Sequence, residues 1–357
     1  MFPTFLIPSA PNSFLLASAM FAMGGVSWDK CLLVILVPWM MRLSLVEGKE
    51  DRRTPLETRP CDVKMHGKRD DRVNWAAGLT QGKRPAMEDY FVSLPGLQLK
   101  SRLPPAETAF LAVFDGHGGW QTGAFLTQRL HEHIASAVDF GDAGSDASGD
   151  SGDGEVVLPS TLEKSLEGAY LKADLEWMEQ AQRMGLRAGS TATTALLLGN
   201  LLICPNVGDS RTVICTRGTA RAMSEDHKPD LPRERYRIEA LGPSSRASLL
   251  LSRRPSQAPH ALSNCSENAV CVRAGGRIIW YGCYRVEGDL AISRSFGDKD
   301  LKRWVTAQPD FRSHTLCDGD EFLLLASDGL WDVLNDQQYA PHLIPHTSTQ
   351  RYAEQAR

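Results

Sequence analysis

At 357 residues and 42% hydrophobic content, the chain is long enough for one large domain or two ordinary ones and apolar enough to bury a core. Its 39 Lys and Arg stand against 43 Asp and Glu, a formal charge of -4, which lacks the basic surplus of a nucleic-acid binder and excludes nucleic acid as the expected partner. Eight cysteines, none in a C-x-x-C pair and several inside apolar runs such as LLIC and TVIC, read as small core residues in a reducing compartment, with cytoplasm or nucleus the expected location.

The chain opens on two apolar stretches, Phe14 to Met23 and Cys31 to Met41, separated by Asp29 and Lys30 and interrupted by Pro38. Neither reaches the roughly 18 to 20 unbroken apolar residues of a spanning helix. No Lys or Arg precedes Lys30, so the charge pattern of a signal peptide is missing. Membrane anchoring through the first 45 residues is the alternative to a soluble location. Residues 47–74 (EGKEDRR, HGKRDDR) carry charge without apolar periodicity and read as a solvated linker. The expected organisation is an extension over 1–73 and a domain over 74–357.

Thr108 to Asp115 (TAFLAVFD) is a continuous apolar run closed by an acid, the pattern of a strand buried on both faces. Leu126, Leu130, Ile134 and Val138 then recur every four residues and mark a helix face. A second helix is expected over Ser160 to Gln182, with Leu162, Leu166, Tyr170, Ala173 and Trp177 on one stripe. The intervening GDAGSDASGDSGDGE lacks the spacing of a calcium loop and reads as a solvated acidic connector. After Gly189 come STATTALLL, NLLICPNV, RTVICTRG, RIIWYG and EFLLLASD, short apolar runs bounded by Gly, Asn or Asp that predict successive strands. Strands in series with a helix pair inserted imply an α+β layering. Residues 243–273 have neither period, carry three prolines and read as an atypical insertion.

Two acids stand where buried strands end: Asp115, followed by Gly-His-Gly-Gly, and Asp328, followed by Gly329. A carboxylate at a strand end is held rigidly, and glycine lets backbone carbonyls approach a ligand. Rigid carboxylates with room for retained waters suit a hard divalent cation, Mg²⁺ or Mn²⁺. Glu88 and Asp89 add two acids beside Arg84.

The order of RPAMED (84–89), FDGHGG (114–119), GSTATTALL (189–197), NVGDSR (206–211), DHKPD (226–230), RVEGDLAISRSFGD (285–298) and ASDGLWDV (326–333) resembles that of the PP2C-type metal-dependent protein serine/threonine phosphatases. The resemblance implies a four-layer αββα sandwich of two antiparallel sheets flanked by helices, with a binuclear metal site in the cleft at one end. Asp115 would bridge two ions, the Gly116 carbonyl and Asp328 would be direct ligands, and Glu88 and Asp89 would act through the metals' waters. Asp209 and Asp332 match positions near a weaker third ion, although Asp332 could instead cap a helix. Arg84 would grip the phosphate in a bidentate fork, and His117 would be the general acid for the departing oxygen. Phosphoproteins would be the substrates, and a monomer is the expected state.

One part of the pattern is missing. The family carries a late metal-binding aspartate in a Gly-Ser-x-Asp-Asn segment followed by a last strand. The C-terminal QQYAPHLIPHTSTQRYAEQAR contains neither, which predicts an unpaired sheet edge and one ligand fewer. A catalytically silent phosphoprotein- or kinase-binding module is therefore the alternative, and a metal-dependent nuclease is disfavoured by the charge balance.

Overall fold

The computed structural model describes residues 32–38, 64–68, 75–100, 107–138, 157–241 and 276–337. Strands β1 (Leu32–Pro38), β2 (Lys64–Lys68) and β3 (Trp75–Thr80) are followed by β4 (Tyr90–Pro95), β5 (Thr108–Phe114) and β6 (Gly116–His117), then by helices α1 (Gln121–Ala137) and α2 (Ser160–Met184). The chain returns through β7 (Gly189–Ser190), β8 (Ala192–Leu198), β9 (Leu201–Val207), β10 (Arg211–Thr216) and β11 (Thr219–Ala222) to α3 (Pro232–Ala240). It ends with β12 (Ile278–Trp280), β13 (Tyr284–Val286), β14 (Phe296–Gly297), β15 (Asp310–Thr315), β16 (Asp320–Ala326) and the short α4 (Asp328–Trp331).

Two antiparallel sheets carry the fold, one ordered β11-β10-β16-β1-β3-β2 and the other β15-β9-β8-β5-β4. Between them lie Leu111, Val113, Ala195, Leu202, Ile214, Leu323 and Leu325, all buried. The opposite face of the five-stranded sheet presents Phe110, Phe114 and Leu196 to Leu126, Leu130 and Ile134 of α1 and to Leu166, Tyr170 and Trp177 of α2. Because β5 and β8 are covered on both faces, every one of their residues is buried, which explains runs without alternation. Helix α2 stops at Gly185, which takes the left-handed conformation (φ 70°) and caps the last carbonyls. The predicted strands and both predicted helices are thus present, and the layering is the expected α+β sandwich. The acidic connector 141–155 and the insertion 243–273 lie outside the described residues, as does the C-terminal tail beyond Gln337.

Residues before the expected domain start at 74 also join the sheet. Residues 32–38 (LLVILVP) form a strand inside the six-stranded sheet, antiparallel to β16 through Val34↔Ala326 to Pro38↔Phe322 and to β3 through Leu32↔Thr80 to Leu36↔Ala76. Residues 64–68 add the outermost strand beside β3. A seven-residue aliphatic run is too short for a membrane span but matches a sheet strand, and Pro38 sits at its end, where a missing N–H is tolerated. The boundary expected at 73/74 therefore cuts through a sheet, and β16 is not left as an open edge. Among the described residues no helix is long and apolar enough to cross a membrane.

Candidate active site

The carboxylates of Asp115, Asp209 and Asp328 meet at one end of the sandwich, each offering an oxygen within 4.8 Å of the others. Each comes from just past a strand: Asp115 after β5, Asp209 after β9, Asp328 after β16. Asp115 is fixed by its N–H donated to Thr191 Oγ1 (3.1 Å) and by its carbonyl, which accepts Thr191 N–H (2.9 Å). Gathering three like charges costs free energy unless a cation joins them, and an all-oxygen donor set fits a hard divalent ion. Gly116 packs so closely on the backbone carbonyl of Glu88 that a Cβ there would collide with it. That contact is what brings the RPAMED segment against the Asp-Gly-His turn.

Asp89 is buried and accepts a hydrogen bond from Ser327 Oγ (3.1 Å). Burial pushes its pKa up to about 7; the Ser327 bond opposes the rise and the neighbouring Asp328 charge adds to it. Arg84 and Glu88 share a cleft of about 560 Å³ with Asp115, His117, Asp209 and Asp328. Asp332 lines the same cleft and closes the α4 turn, its N–H bonded to the Asp328 carbonyl (2.9 Å). The structure therefore brings together Arg84, Glu88, Asp89, Asp115, Gly116, His117, Asp209, Asp328 and Asp332 from well-separated segments of the sequence.

His117 Nε2 lies 2.8 Å from Asp298 Oδ2. Burial pulls the imidazole pKa down, but the hydrogen bond and charge of Asp298 outweigh it, with Asp209 and Glu88 adding, so the net shift is upward. The pair fits only because residue 189 is glycine: a Cβ there would overlap both Asp298 Oδ2 and His117 Nε2. The turn that presents Asp298 is itself anchored, since the buried Asp174 of α2 accepts Gly297 N–H (2.8 Å) and pairs with Lys302 (2.9 Å).

Sequence reasoning missed Asp298 as the partner of His117 and Lys228 as the ammonium against Asp209. Both lie in motifs already noted, SFGD and DHKPD, but no spacing rule connects His117 to a position 181 residues away or Asp209 to one 19 residues away. The cysteine reading holds for Cys204 and Cys215, whose buried thiols are pushed up in pKa, that of Cys215 to about 12. It does not hold for Cys283, which is half-buried in the cleft wall, or for the exposed Cys317.

The family model "Protein phosphatase 2C" matches residues 75–254 and 245–355. "Probable protein phosphatase 2C 45" of Oryza sativa subsp. japonica is 33% identical over 270 residues, covering 75% of this chain and 74% of that protein. "Probable protein phosphatase 2C 59" of the same organism is 34% identical over 285 residues, covering 79% and 69%. Among solved structures, a serine-threonine phosphatase 2C from Toxoplasma gondii superposes with a TM-score of 0.50 at 22% identity, covering 76% of this chain and 87% of that one. A Caenorhabditis elegans sex-determining protein gives 0.52 at 21% identity, covering 79% and 55%. The structural likenesses speak for the fold alone. The chain belongs to the protein phosphatase 2C family, whose members are metal-dependent serine/threonine protein phosphatases.

Proposed function

We propose that this chain hydrolyses phosphoserine and phosphothreonine in proteins with two Mg²⁺ or Mn²⁺ ions at the Asp115 cluster and a weaker third near Asp209 and Asp332. The observation that carries the reading is the convergence of three carboxylates and Arg84 in one cleft with the His117–Asp298 pair. Asp115, Asp328 and the Gly116 carbonyl would hold the ions directly, with Glu88 and Asp89 in reach of their waters. When bound, such ions lower the pKa of a water and offset the charge of the phosphoryl group. Arg84 binds and orients the phosphate with a fork that matches two of its oxygens. His117 Nε2 is engaged by Asp298, whose carboxylate favours the charged imidazole, and Nδ1 is the nitrogen that would protonate a departing serine or threonine oxygen. The positive charge of bound ions also favours the ionised form of Asp89.

The test is the whole chain with a phosphothreonine peptide and Mn²⁺. Phosphate release that stops on chelation supports the reading. Release that persists in chelator, or none under either condition, overturns it.

A further inference from the structure

His227, in the DHKPD segment, is fully buried and does not line the cleft. Both backbone polar groups of Gly208 nevertheless end on it: Gly208 donates its N–H to His227 Nδ1 (3.0 Å), and the Gly208 carbonyl accepts the His227 N–H (3.0 Å). Because Nδ1 receives a donor it carries no proton, so the ring proton sits on Nε2, which donates to Asp310 Oδ2 (3.0 Å). Asp310 is held in turn by Arg294 (2.8 Å) and by Arg233. The His227 carbonyl accepts the Ser293 N–H (2.9 Å) and the Ser293 hydroxyl (3.1 Å). The ring therefore has one orientation and one tautomer. Burial pulls its pKa down against the pull of the Asp310 carboxylate, which favours the neutral ring that this pattern requires.

What His227 holds is the turn that presents Asp209. Gly208 sits at φ 103°, a conformation that favours glycine, and a Cβ there would collide with Thr191. Thr191 Oγ1 is also the acceptor for the Asp115 N–H. Thr191 thus links the two acids, bonded to Asp115 and packed against Gly208. On the other flank Lys228, the residue after His227, places its ammonium against Asp209. One side chain governs both the turn that carries this carboxylate and the start of the segment that faces it.

We infer that His227 is a positioning residue of the metal centre: through Gly208 it holds Asp209 within reach of Asp115 and Asp328, as a neutral imidazole with its proton on Nε2. This rests on the reading of the three carboxylates as a metal centre. The chain Asp310, His227, Gly208, Asp209 orders a ligand from outside the site, and loss of such an outer partner typically weakens metal binding about 10- to 100-fold. A histidine that only filled the core would be replaced by leucine without effect on the ion.

Calorimetric titration of Mn²⁺ into the wild-type chain, D209A, H227N, H227Q and H227L tests this, with thermal melts to establish that each variant folds. D209A marks the binding event that depends on Asp209. Asn places an acceptor near the position of Nδ1 and Gln does not, so H227N is expected to keep that event within about threefold, whereas H227Q and H227L weaken it about tenfold or more. Nitrogen NMR of the isotope-labelled wild type, with the His227 ring assigned by its loss in H227N, is expected to show Nδ1 unprotonated and Nε2 protonated. The reverse tautomer, no Mn²⁺ event sensitive to D209A, a loss in H227N equal to that in H227Q, or an undisturbed event in H227Q overturns the inference. If H227L does not fold, the contrast of H227N with H227Q decides. Neither readout needs turnover, so a chain that binds Mn²⁺ in this pattern and releases no phosphate sinks the phosphatase reading and leaves the role of His227 standing.

Discussion

Replacing Asp298 by Asn keeps the size of the side chain facing His117 and removes its charge. The contact is 2.8 Å with Asp298 buried, so the bond is charge-assisted and worth about 1.5–3 kcal/mol, roughly twice a neutral one. The substitution therefore costs the imidazolium about 1 kcal/mol, close to a fivefold loss of the charged form at fixed pH on the basic side of its titration. Because the partner raises the His117 pKa, its removal shifts the basic limb of the kcat profile to lower pH. For a phosphothreonine peptide, whose alkoxide needs a proton to depart, D298N is expected to lower kcat about fivefold and H117N about 10² to 10⁴-fold. For p-nitrophenyl phosphate, whose leaving group departs as a stable phenolate, both losses should be small. The assay is kcat against pH for the two substrates with Mn²⁺. An unshifted basic limb in D298N, or equal losses on both substrates in H117N, refutes the general-acid assignment.

Asp174 is buried with Lys302 and the Gly297 amide as partners, so D174A, which leaves an uncompensated ammonium, is expected to cost about 3–5 kcal/mol in urea unfolding; a change under about 1 kcal/mol would show that the Asp298 turn does not depend on it. Glu234 is buried between Arg294 and Arg237; burial raises its carboxyl pKa, but the two guanidinium groups outweigh that and hold it down at about 2. Its contribution, on the order of 3 kcal/mol, is fully present above its unfolded pKa and lost as pH falls toward 2, so the stability gap between wild type and E234Q should narrow from about pH 5 to about pH 2. A gap independent of pH would contradict the ion pair. Shortening the chain tests the N-terminal strand: residues 74–357 without β1 should lose the cooperative melt of the whole chain, and an equal melting temperature would return the domain start to 74.

What the sequence made legible were features written into local patterns. The runs at Thr108–Phe114 and Ala192–Leu198 announced strands buried on both faces, and the spacing of four from Leu126 to Ile134 announced α1. The acids at strand ends were legible for the same reason, since Asp115 and Asp328 each follow an apolar run closely. Long-range contacts were not. Nothing local distinguishes LLVILVP as a strand between two distant partners from an apolar fragment of an extension, because the decision lies in β3 and β16, which begin 43 and 288 residues after Leu32. The His117–Asp298 pair was hidden likewise, and the only local trace of it was the invitation for close approach at Gly189.

The most direct measurement pairs calorimetric titration of Mn²⁺ with phosphate release from a phosphothreonine peptide for the wild-type chain, D115A and D328A. If the carboxylate cluster is the metal centre that drives hydrolysis, both variants lose Mn²⁺ binding and turnover together, the latter by about 10² or more. Mn²⁺ binding and turnover that survive D115A, or peptide binding without any turnover in the wild type, would contradict it, the second result in favour of a silent phosphoprotein-binding module.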